Sequence, residues 1–274
     1  SIFARIKATG VVTFGRTTSP EGGIGAATEA AVYGGPTRNP WNPDHTPGGS
    51  SGGAGAAVAA GIVAFAHGSD GGGSVRIPAS SCGLFGFKPT RARLPDGPYV
   101  GESWAGMAID GFLTRSVRDT AVMLDACEGA DLGAPYWAPP LAQGHAAAIS
   151  RPPRRLRVAI CDTTLTGAKI HPEVASAVQD AGRLLEALGH TVMPARPDAD
   201  VPMMLRAYGV LMIALLNERD ELGGIMPEIE RMVREMGGLP GWRAGLAWAH
   251  VQAARPELGR AELGYTAPGR RQLA

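Results

Sequence analysis

The stretch over residues 47–74, PGGSSGGAGAAVAAGIVAFAHGSDGGGS, constrains this chain more than any other. Two glycine-rich loops that carry serine flank a run of alanines and a short apolar segment. The glycines around Ser50 and Ser51 permit positive φ and close approach of backbones. Small residues over 54–60 predict a thin helix with Ser50 or Ser51 as its N-cap. The apolar run over 62–67 predicts a short strand. A second loop, 68–74, leads into VRIPAS, where the early proline suits the first turn of another helix. Ser74 thus stands where strand, loop and helix meet, with backbone N–H groups converging on it. Such a place suits a nucleophile.

Residues 48–90, GGSSGGAGAAVAAGIVAFAHGSDGGGSVRIPASSCGLFGFKPT, resemble the signature stretch of the amidase signature family, serine hydrolases with a Ser-cis-Ser-Lys triad. The resemblance runs back through GPTRNPWN over 35–42 and weakly to residue 1, and forward with falling specificity to about residue 250. GPTRNPWN with SVRIPAS is similar to the branch that contains 6-aminohexanoate cyclic-dimer hydrolase and related linear-amide hydrolases. The resemblance implies an α/β fold, a mixed sheet core flanked by helices on both faces, as one partial domain over residues 1–274.

It also implies roles. Ser74 is the nucleophile and Ser50, 24 positions upstream, the bridging serine that relays its proton. The Gly49–Ser50 peptide is expected to be cis. Backbone N–H groups of Gly71, Gly72, Gly73 and Ser74 match the oxyanion hole. Ser51 and Ser69 match positions that brace the relay. Asp70 and Arg76 flank the loop and are expected to pair beneath it. The family's lysine lies upstream of everything that aligns with residue 1, so Lys7, Lys88 and Lys169, the lysines present, are not expected to be the base. The chain is therefore expected to lack both the N-terminal catalytic-lysine segment and the C-terminal portion, and to show little activity by itself. The implied reaction is hydrolysis of a carboxamide or linear amide through an acyl-enzyme on Ser74. A non-catalytic fragment or binding relative, and a glutaminase-type subunit of a tRNA-dependent amidotransferase, are the alternatives.

Other chemistries fit less well. No Gly-Lys-Ser/Thr follows the glycines, which argues against a phosphate-binding loop. His67, on an apolar strand, reads as a bracing imidazole rather than a triad base. Trp41 among prolines reads as a packing anchor, and Cys82 as a small buried residue. With a net charge of +1 and 19% charged residues, nothing in the electrostatics points to nucleic acid or an anionic membrane. Cys82, Cys127 and Cys161 form no CxxC pair, so neither a disulfide framework nor a metal site is expected, and a reducing, cytoplasmic setting is the simplest reading. No cofactor is expected; the expected partner is a small-molecule amide, and a homodimer is compatible. No signal peptide or membrane span is read.

Outside the signature, helices are expected over 2–9, 117–128 (opened by Ser116 with Asp119) and 172–188, the last with Val174, Val178, Leu185 and Leu188 inward. Strands are expected over 11–14, 84–87, 156–160 (buried) and 191–193. Residues 134–153, with five prolines, read as a connecting loop, and 201–254 as helix-rich.

Overall fold

A computed structural model describes residues 1–216 apart from Phe14, Tyr99 and Val100. The chain divides into two compact units, Ser1–Pro152 and Pro153–Ala274.

In the first unit, α1 (Ile2–Ala8) and α2 (Gly52–Ala59) precede β1 (Phe65–Asp70) and α3 (Arg76–Cys82). Then come β2 (Phe85–Phe87), β3 (Ile109–Thr114), α4 (Val117–Cys127) and α5 (Gly144–Ala148). The strands form an antiparallel sheet in the order β1-β3-β2, with Asp70 opposite Ile109 and Phe65 and Phe85 both opposite Thr114. The central strand alternates between two cores, because successive side chains of a strand point to opposite faces. Phe112 joins Ile2, Ile6, Leu94, Met123, Leu124 and Cys127 on the face covered by α1 and α4. Leu113 joins Ala54, Val75 and Ala79 on the face covered by α2 and α3. Helices thus cover both faces, as the α/β class requires.

Small residues let α2 lie close. A Cβ on Gly53 would fall 2.4 Å from the Thr18 hydroxyl and 2.5 Å from its backbone, so alanine cannot replace it without displacing a neighbour. Ser116 opens α4 as expected, accepting the Asp119 N–H at 3.1 Å. At the other end of α3, Trp41 Nε1–H donates to the Cys82 carbonyl (2.8 Å) and Asn39 Nδ2–H to that of Ser81 (2.7 Å). The proline- and asparagine-rich loop thereby satisfies carbonyls that the helix end leaves free.

In the second unit β4 (Arg157–Ile160), α6 (Pro172–Ala187) and β5 (Thr191–Pro194) form a βαβ unit with parallel pairing, Val158 opposite Val192, followed by α7 (Val201–Leu216). Antiparallel and parallel pairing are therefore both present in the chain. No described helix is long and apolar enough to cross a membrane.

Several expectations change. Residues 11–13 form no strand: they find no pairing edge, and Val12 is exposed. β1 begins three residues later than expected and runs through Asp70, because pairing with β3 sets its register, while Ile62 stays outside the core. The proline-rich loop contains α5, whose first turn is capped by the Asp125 carboxylate, an acceptor for the Ala146 N–H at 2.9 Å. β4 is half-exposed rather than buried. On α6, Val174 and Leu188 face solvent, and the buried position is Gly182, which lets the helix close on Ile160 and Val192. Of the helix-rich 201–254 stretch, residues beyond 216 lie outside the described residues.

Candidate active site

The glycines of the two serine loops are closely packed, not loose. A Cβ on Gly49 would lie 2.6–2.8 Å from backbone atoms of Gly25 and Ala27, and one on Gly68 would lie 2.7 Å from Ser51 Oγ. Gly48 has a φ of 82° and Gly73 a φ of 128°, which side chains rarely adopt. The Gly49–Ser50 peptide is cis.

One backbone bond joins the loops: Ser51 N–H donates to the Ser74 carbonyl at 3.2 Å. Ser51 does not cap α2 with its side chain. Its hydroxyl instead donates to the Ser69 carbonyl (3.3 Å) and accepts the Ser69 N–H (3.2 Å), tying the first loop to β1. Ser50 is buried and Ser74 half-buried, and among the described residues neither hydroxyl has a hydrogen-bond partner. The structure brings the two serines into adjoining loops but does not link their hydroxyls.

Asp70 is wholly buried at the end of β1 and organises the second loop. Its Oδ1 accepts Gly73 N–H (2.8 Å) and Arg76 Nη2–H (2.7 Å). Its Oδ2 accepts the N–H groups of Val75 (3.1 Å) and Arg76 (3.2 Å) and Arg76 Nε–H (2.9 Å). Burial pushes the Asp70 carboxyl up, but the bonds from Arg76 and the backbone outweigh it and hold the group below the usual carboxylate range. Asp70 in turn raises the pKa of the half-exposed Arg76.

Gly73 departs from the sequence reading. Its N–H points at Asp70, so it braces the loop rather than facing an incoming oxyanion. The N–H groups of Gly71, Gly72 and Ser74 have no acceptor among the described residues. Three N–H donors of the Ser74 loop are therefore without an acceptor among the described residues.

The lysines stand elsewhere. Lys88 Nζ donates to the Pro89 carbonyl at 3.0 Å, and Lys7 and Lys169 are exposed. His67 Nε2 lies 3.0 Å from Asp110 Oδ1, and its ring centroid lies 4.8 Å from that of Phe3 with the planes tilted by 59°, the bracing role expected of it.

Two residues escaped the sequence reading. Thr28, fully buried, donates its hydroxyl to the Gly48 carbonyl (2.8 Å) and accepts Gly52 N–H (3.1 Å), bridging the Ser50 loop. Nothing near it in the sequence signals this. Thr28→Val keeps the shape but leaves both backbone groups without a partner, and urea unfolding is expected to report a loss of about 1–3 kcal/mol. The second residue is Trp104, whose ring lies against Gly71.

Asp125, Glu128 and His145 also come together. Each is engaged within the fold: Glu128 Oε2 meets Arg93 at 3.2 Å and His145 at 3.1 Å, and Asp125 caps α5. A cavity of about 180 Å³, lined among others by Arg91, Asp96, Asp131 and Tyr136, includes no residue of the 47–74 stretch.

The Amidase family profile matches residues 1–242. The 6-aminohexanoate-cyclic-dimer hydrolase of Paenarthrobacter ureafaciens is 46% identical over 198 residues, 71% of this chain and 40% of that protein. The solved structure of 6-aminohexanoate cyclic dimer hydrolase complexed with substrate matches with a TM-score of 0.74 at 37% identity, covering 96% of this chain and 56% of that one. A glutamyl-tRNA(Gln) amidotransferase subunit of Thermotoga maritima matches with a TM-score of 0.66 at 28% identity, covering 96% of this chain and 56% of that one. The chain belongs to the amidase signature family. It spans 40% of the length of its curated hydrolase relative.

Proposed function

We propose that this chain carries the nucleophile and proton relay of an amide hydrolase acting on a small carboxamide or linear amide. The observation that supports it best is that, among the described residues, the N–H groups of Gly71, Gly72 and Ser74 and the Ser74 hydroxyl, all in one loop, have no hydrogen-bond partner. Ser74 Oγ attacks the amide carbonyl while its proton passes to Ser50, and the Ser50 proton passes to a lysine amine. None of Lys7, Lys88 and Lys169 is assigned that role, so the lysine comes from outside this chain. The oxyanion takes hydrogen bonds from the free N–H groups, each worth roughly 3–4 kcal/mol of barrier. The proton returns through Ser50 to the leaving nitrogen, the C–N bond breaks, and water releases the acid from the Ser74 ester. The whole of residues 1–274 serves, in this reading, a single amidase domain.

Treatment of the enzyme, complete with its lysine, with a fluorophosphonate, followed by peptide mapping, tests the assignment. An adduct on Ser74 is the expected result; an adduct elsewhere, or none, overturns it. A glutaminase-type subunit is the second reading, favoured by the likeness to the Thermotoga maritima amidotransferase component. Ammonia release from glutamine, in preference to a linear amide, would select it.

A further inference from the structure

We propose that Trp104 is a positioning residue for the oxyanion loop: its indole, seated on Gly71, keeps the Gly71 and Gly72 N–H groups aimed at the substrate oxygen. The inference rests on Ser74 being the nucleophile.

The topology puts the residue there. Asp70 pairs with Ile109, so the segment entering β3 overhangs the segment leaving β1. Trp104 opens the one-turn 3-10 helix Trp104–Gly106 with a φ of 51°, in the left-handed region that a non-glycine residue seldom takes. Hydrogen bonds hold that turn, among them an Ala108 N–H donated to the Ser103 carbonyl (3.2 Å). Ser103 N–H donates to Asp96 Oδ2 (3.1 Å), Gly106 N–H to the Ser103 carbonyl (3.0 Å) and Met107 N–H to the Trp104 carbonyl (3.1 Å). The backbone set in this way directs the ring onto the loop. A Cβ built on Gly71 would lie 2.5 Å from Trp104 Cε3 and 2.7 Å from Cζ3. Gly71 has no positive φ, so what excludes a side chain there is the volume the indole fills.

The loop is thus held at two points. Asp70 anchors Gly73, Val75 and Arg76 from one side. Gly71, whose N–H, like that of Gly72 beside it, bonds to nothing among the described residues, rests on Trp104. Donors that are free yet fixed are what stabilises a developing oxyanion, and a displacement of about 1 Å in such a group costs on the order of 100-fold in rate.

The test uses the enzyme complete with its lysine, in the variants Trp104→Ala and Trp104→Phe. Backbone NMR order parameters are expected to fall below about 0.6 at Gly71 and Gly72 in W104A and to stay at about 0.85 along β1. Phosphonylation of Ser74, in which the oxygen–phosphorus bond forms, fluoride leaves and the serine proton passes through Ser50 to the lysine, is expected to slow about 10- to 100-fold in kinact with KI unchanged. W104F, which keeps a ring on Gly71, is expected to recover most of both. Unchanged order parameters at Gly71 and Gly72, a loss confined to KI, or W104F as damaging as W104A would each overturn the proposal. Labelling that persists in S74A would instead overturn the nucleophile assignment, and the order parameters alone would then decide whether Trp104 holds the loop. If W104A does not fold, Gly71→Ala, which drives the ring off the loop, takes its place with the same order-parameter readout at Gly72.

Discussion

In the enzyme complete with its lysine, Ser74→Ala is expected to cut the rate of fluorophosphonate modification by on the order of 10⁴-fold or more, to the background of other hydroxyls. Its thermal midpoint is expected to stay within about 2 °C of the parent chain. The two halves follow from one observation. Ser74 Oγ makes no hydrogen bond among the described residues, so its removal leaves none of their polar groups stranded, whereas the chemistry loses the atom that forms the bond. What joins the two loops is the Ser74 carbonyl, which alanine keeps. Kinetics and a melting curve on the same preparation check both halves. A rate within about tenfold of the parent would sink the assignment, because a barrier change of about 1.4 kcal/mol is too small for a lost nucleophile.

Asp70→Ala is expected to have the largest effect on stability, a loss of about 3–5 kcal/mol. The carboxylate accepts three backbone N–H groups and both faces of the Arg76 fork. Two of those N–H groups belong to the buried Gly73 and Val75, and they have no water to turn to. Arg76 is half-exposed and stays hydrated, so the cost falls on the backbone of the loop rather than on an abandoned buried cation. Asp70→Asn keeps one acceptor and is expected to lose about half as much. The pH dependence has a definite sign. Because the folded pKa of Asp70 is depressed, its contribution is fully present above the unfolded value, near pH 4, and is lost as pH falls through the lower folded value. Urea unfolding across pH 2–7 is therefore expected to show the parent and Asp70→Asn curves separated above about pH 4 and converging below it. A constant separation over the whole range would mean that the carboxylate does not titrate as its surroundings dictate.

Legibility in the sequence varied with the kind of interaction. Ser116 and Asp119 announce their helix because a cap is a contact between residues three apart. The shift of β1 from 62–67 to 65–70 was hidden, since register is chosen by β3, some forty residues on. On α6 the apolar positions suggested one inward face, yet Gly182 is the buried one, because closeness of approach rather than hydrophobicity selected it. Thr28 was invisible for the same reason: a hydroxyl 24 positions before Gly52 has no local pattern that reports its bond.

The stretch over 47–90, by itself, determined the family, the presence of serine in two glycine-rich loops, the order of helix, strand and loop around them, and the pairing of Asp70 with Arg76, all of which rest on residue types and short spacings. Tertiary structure decided how the donors are shared out. Gly73 N–H goes to Asp70, Gly71 lies under Trp104, and three N–H groups of the loop find no acceptor among the described residues, because a backbone N–H carries no identity in the sequence and its direction is set only when distant segments close around it.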